Sequence, residues 1–114
     1  MTELEGRLRS ALRIALRERN VVAMGALRST LAALGNATAV QSVRLAPGGD
    51  EHVAGSVAGL GAAEVPRREL TDAEAVAIVR AEIADRTAAA EQYGRSPAAD
   101  RLRTEAALLG RFLN

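Results

Sequence analysis

Arg9, Arg13 and Arg17 recur at four-residue spacing, which on a helix lines three guanidinium forks along one ridge. A guanidinium matches phosphate oxygens, so the ridge could hold a nucleic-acid backbone. The plainer reading is a solvated helix face, partly paired with Glu5 and Glu18. Arg28 and Arg86 sit at the margins of apolar stripes. An arginine so placed marks an internal salt bridge, with Glu82 or Glu105 as partner, and a ligand surface is the rival reading. Tyr93-Gly94-Arg95 reads as a helix end, with Tyr93 packing between helices and base stacking as its alternative role. Glu74, Glu82, Glu91 and Glu105 could pair across helices for acid–base work, but surface solvation accounts for them better. His52, beside Asp50 and Glu51, reads as a solvated loop residue, because a metal would need partners that the sequence lacks.

What is missing restricts the chemistry further. The 114 residues contain no Cys, so there is no thiolate nucleophile, disulfide framework or Cys-ligated metal. They contain no Lys, since all 15 basic residues are Arg, which removes Schiff bases and the Walker A and Ser-Lys mechanisms. One His cannot build a multi-histidine site, and one Tyr and one Phe cannot build an aromatic base-stacking sheet. A net charge of +1 gives no whole-chain basic field. No catalytic residue, metal site or cofactor is expected.

The elements that must position these residues are helices. The 25 Ala exceed a fifth of the chain, and Ala is the best helix former and the smallest core residue. Thr2-Glu3-Leu4-Glu5 is a capping box that opens a first helix over about 2–19, with Leu4, Leu8, Ala11, Leu12, Ala15 and Leu16 as its apolar stripe. Asn20 is a plausible cap for a second helix, about 21–38, with Met24, Leu27, Leu31, Leu34 and Thr38 on one face and Gly25 and Gly35 weakening it. Residues 39–69 carry Gly48, Gly49, Gly55, Gly59 and Gly61 with Pro47 and Pro66. They read as a long flexible insertion with a short transient strand at Ser42–Leu45. Leu70, a hydrophobic staple, precedes a second capping box, Thr71-Asp72-Ala73-Glu74. A third helix, about 71–93, follows with Val76, Val79, Ile83, Thr87 and Ala90 in step. Gly94 closes it, and Ser96-Pro97 opens a fourth over about 97–113 with Leu102, Ala106, Leu109 and Phe112 or Leu113 inward. The reading is all-α: a four-helix bundle of two helical hairpins, one domain over 1–114, with a long flexible Gly-rich insertion between helices two and three. No apolar run is long enough for a membrane span and no signal peptide is legible, so the expectation is a cytoplasmic protein without a membrane partner.

Several segments together resemble the GatB/YqeY family. In the second half these are Glu69-Leu70-Thr71-Asp72-Ala73-Glu74, Arg86, Tyr93-Gly94-Arg95, Glu105 and Leu108-Leu109-Gly110-Arg111-Phe112-Leu113. In the first half, Leu8, Ala11, Leu12 and Arg19, then Ala26-Leu27-Arg28-Ser29-Thr30-Leu31-Ala32-Ala33-Leu34, resemble the family's opening hairpin. The match covers roughly residues 2–38 and 69–113, and it rests on the order of the segments, since no single motif is specific. Two departures stand out. Residues 39–68 exceed the family's usual connection. The chain also ends at Asn114, where the family has a proline and then a second helical domain related to the tRNA-engaging tail of the amidotransferase B subunit.

The resemblance implies an accessory or interaction module of tRNA-dependent amide transfer, reduced to its first domain. Its partners would be tRNA, an amidotransferase or an aminoacyl-tRNA synthetase. Carbon–nitrogen ligase activity with glutamine as amido-N donor enters by association only, because that chemistry lies in other domains and subunits. The candidate binding residues are Arg9, Arg13, Arg17, Arg28, Arg86, Tyr93 and Arg95. The alternative is a stand-alone helical protein-interaction or regulatory domain with no tRNA link. An enzyme transferring glutamine nitrogen by itself is a weak third reading without Cys or Lys. Ala-rich helices with a short core are compatible with a homo-oligomer.

Overall fold

The computed structural model describes residues 2–45 and 69–113, with side chains described at 2–39 and 69–113. The rest of the expected insertion, residues 46–68 with His52, lies outside the described residues. All regular structure among the described residues is helical. The chain divides into two units, Met1–Leu34 with Leu70–Asn114, and Gly35–Glu69.

Helix α1 spans Glu3–Glu18. Both arms of its capping box form: Thr2 Oγ1 accepts from the Glu5 N–H at 3.0 Å, and Glu5 Oε1 accepts from the Thr2 N–H at 3.2 Å. Each bond satisfies a donor that the first turn would otherwise orphan. Leu4, Leu8 and Ala15 are buried, Ala11 and Leu12 half-buried. Leu16, expected on the same stripe, is 42% exposed because it falls on the flank of the helix. The helix stops where Arg19 turns left-handed at φ 56°, a conformation a non-glycine residue adopts at some steric cost.

Asn20 then caps helix α2, Val21–Leu45, its Oδ1 accepting from the Ala23 N–H at 3.1 Å. The helix runs well past the expected end at Thr38, and Ser42–Leu45, expected as a transient strand, is helical. The physical reason is the absence of a breaker: after Gly35 no Gly or Pro occurs before Pro47, which disfavours helix for the residue ahead of it. Gly25 and Gly35 sit inside the helix without ending it. In the second unit, residues 35–45 are this helix's continuation.

Helix α3 spans Asp72–Tyr93, opened by the second capping box. Thr71 Oγ1 accepts from the Glu74 N–H at 3.1 Å, and Glu74 Oε1 accepts from the Thr71 N–H at 2.8 Å. Thr71→Ala removes the hydroxyl arm and is expected to lower stability by about 1 kcal/mol, read as a urea midpoint shift at unchanged slope. Gly94 ends α3 at φ 63°. Helix α4, Pro97–Gly110, starts with Ser96 Oγ accepting from the Ala99 N–H at 3.1 Å and proline in the first turn. Its expected last turn is instead a 3-10 turn, Arg111–Leu113.

Within the first unit α3 packs along α4, and α1 meets α3 and the 3-10 turn. Among the described residues Leu8, Leu27, Leu34, Val79 and Leu109 are fully buried as expected, whereas Leu31, Val76, Ile83 and Leu102 are half-buried and Thr87 is exposed. Between the fully buried side chains lie Ala23, Ala26, Ala75, Ala90 and Ala99, all buried, where the small side chains permit close helix approach. No helix among the described residues is long and apolar enough to cross a membrane.

Candidate binding surface

The arginines separate into two sets. Arg86, on the inner side of α3, has a side chain only 12% exposed and is the centre of an ion-pair knot. Its Nε donates to Glu105 Oε1 at 2.9 Å, its Nη1 to Glu82 Oε1 at 2.9 Å and to the Glu82 carbonyl at 3.0 Å, and its Nη2 to Ser29 Oγ at 2.7 Å. Ser29 donates onward to Glu82 at 3.1 Å, which closes a ring and ties α2 to α3. The second oxygen of Glu105 accepts from Arg101 Nε at 3.3 Å. Burial alone would lower the Arg86 pKa, but the hydrogen bonds to Glu82 and Glu105, with their charges, more than offset it and hold the guanidinium above its usual value. Arg86 therefore stays charged throughout the working pH range. Of the two partners expected for Arg86 it has both, and each nitrogen of its fork is engaged within the protein.

The second set faces solvent. Arg9, Arg13 and Arg17 are all exposed, on the side of α1 opposite Leu4, Leu8 and Ala15. Arg9 meets Glu5 only at 4.0 Å, and Arg13 donates to Ser10 at 3.1 Å. Arg17 has no ion pair among the described residues, and Glu18 does not pair with the row. Arg28, expected at a half-buried margin, is exposed and unpaired among the described residues, because its place on α2 lies beyond the edge of the packed face. Arg95 is likewise exposed and unpaired.

Tyr93 corrects a further expectation. It does not pack between helices but is 60% exposed at the end of α3. Beside it Gly94 takes a positive φ, and Arg103 Nη2 donates to the Gly94 carbonyl at 3.2 Å, which fastens the turn from α4. Tyr93→Ala is accordingly expected to leave the melting temperature within a degree or two, whereas truncating a packed aromatic costs about 3–5 kcal/mol.

Two of the four candidate glutamates, expected to be solvated at the surface, are drawn into the ion-pair knot instead. Glu82 and Glu105 are both committed to Arg86, and among the described residues no cluster of His, Asp and Glu could hold a metal ion. Sequence reasoning missed Thr30 and the buried alanines Ala23, Ala26, Ala75 and Ala99, while Ala15 and Ala90, expected on their stripes, are buried. Thr30 is fully buried because its hydroxyl donates to the Ala26 carbonyl at 2.8 Å one turn back, so it behaves as a small apolar residue.

Among the described residues, fold and site define an all-α arrangement with an internally locked arginine and an outward arginine row. Compared with protein-family models, curated proteins and solved structures, the chain matches none of them.

Proposed function

We propose that this chain is a cytoplasmic GatB/YqeY-like accessory module, a four-helix bundle of two hairpins, that docks on tRNA through α1 and performs no covalent step itself. The observation that carries this reading is the solvent-facing row Arg9, Arg13 and Arg17. Among the described residues its one carboxylate contact is loose, while Arg86 and Arg101 are tied up elsewhere. Forks left free at a four-residue repeat, about 6 Å along a helix, are spaced for successive backbone phosphates. Tyr93, outward beside Arg95, adds a surface on which an unpaired base could stack. The resemblance supplies the choice of tRNA and of an amidotransferase or synthetase as the larger partner.

The test is filter binding of unmodified tRNA at low salt, together with co-purification from the native cell. Retention that falls steeply with salt supports the reading. No tRNA retention, with no amidotransferase or synthetase recovered, ends it. Association with a protein partner that is insensitive to salt would favour the stand-alone interaction domain instead.

A further inference from the structure

We infer that a second copy of this chain docks on the face formed by the C-terminal half of α1, the start of α2 and the end of α4. Ala11, Ile14, Leu27, Leu108 and Phe112 line a mainly apolar groove there. Its volume of about 210 Å³ is below the roughly 300–1,000 Å³ usual for small-molecule pockets, so a protein surface is the better occupant. A second, wider hollow of about 600 Å³ along Gly6, Arg7 and Ser10 shares Ala11, Ile14 and Phe112 with the first. Ile14 is 46% exposed on this face, and Phe112 is held in place by Arg7, whose Nη1 donates to the Phe112 carbonyl at 3.1 Å with the guanidinium 5.4 Å from the ring centroid.

Charge decides in favour of a second copy over a foreign partner. Glu18 and Arg111 both line the groove, carry opposite signs and pair neither with each other nor with any other described residue. In a two-fold interface any contact made by one residue with another recurs with the roles exchanged, so an axis that brings Glu18 of one copy to Arg111 of the other does so twice. One copy then supplies both charges the other lacks, and the exposed Ile14 of each copy has a hollow of its mate to enter. This inference does not rest on tRNA binding, since the row Arg9, Arg13 and Arg17 lies outside both grooves.

The experiment is sedimentation equilibrium of the full chain over a concentration series up to about 1 mM, the weak end of measurable association. The wild-type mass is expected to double across the series. Ile14→Glu, at an exposed site, should remain monomeric with unchanged helical circular dichroism. Glu18→Arg and Arg111→Glu should each weaken association about tenfold or more, and the combined reversal should restore it. A wild type that stays monomeric throughout overturns the inference. So does a dimer indifferent to Ile14→Glu, or a folded double reversal that fails to recover association.

Discussion

Glu105→Ala is expected to lower the stability of the fold by about 2–4 kcal/mol. Glu105 offers both carboxylate oxygens inside the helix packing, one to Arg86 and one to Arg101, with its side chain 11% exposed. Removing it leaves the Arg86 guanidinium buried with half its countercharge, and a charge stranded in that way costs far more than the net worth of the intact pair. In a domain of this size the loss corresponds to a fall in Tm on the order of 10–25 °C. Arg86→Ala should destabilise comparably, because Glu82 and Glu105 would then face each other without a cation. Replacing Arg86 and Glu105 together by Met and Leu should recover much of the loss, since an apolar pair carries no desolvation cost. Urea unfolding of Glu105→Ala, Arg86→Ala and the double Ala variant forms a double-mutant cycle that reads the coupling of the pair. A Glu105→Ala variant that melts within a few degrees of wild type would remove the knot from its structural role.

The second large effect concerns the outward row. Replacing Arg9, Arg13 and Arg17 together by Gln should reduce the slope of log binding constant against log salt by about 2–3, and weaken tRNA binding on the order of a hundredfold at 0.1 M salt. Gln is a good helix former and all three sites are exposed, so α1 and the melting temperature should be unchanged. Arg103→Gln is the control: one charge is lost at a site already paired with Asp100, and the slope should move by less than about 1. A triple variant with the wild-type slope would show that tRNA, if bound at all, is held elsewhere. Because Arg86 is left untouched, this result is independent of the stability experiment.

The caps were legible in the sequence because their chemistry is local. Thr2 with Glu5, Thr71 with Glu74, Asn20 with Ala23 and Ser96 with Ala99 all act over three residues, and each forms as the spacing requires. Leu8, Leu27, Val79 and Leu109 were legible as core because large apolar groups at helical spacing leave one choice of inward face. The end of α2 is not legible in composition, because the glycines that mark a loop lie beyond residue 47 while residues 39–45 contain no breaker.

Burial at Ala was legible only where the residue fell in step with larger apolar groups, as at Ala15 and Ala90. Ala occurs on every side of α2 and α3, so periodicity does not distinguish Ala26 or Ala75, which are buried, from Ala32 or Ala77, which are exposed. Tyr93 was assigned to the interior on residue type alone, but one turn at Gly94 is enough to leave it outside.

The sequence by itself therefore determined the helical class, where the helices begin, and which functional groups are absent, because composition and three-residue caps need no distant partner. Only the tertiary structure decided which arginines are locked and which are free. Arg28 and Arg86 looked alike at the margins of their stripes, yet Arg86 is held by Glu82 on its own helix and by Ser29 and Glu105 from two others, while Arg28 faces water. The Glu82 contact is a local four-residue pair, but Ser29 and Glu105 are set by which helices lie across from Arg86, and no local spacing contains those.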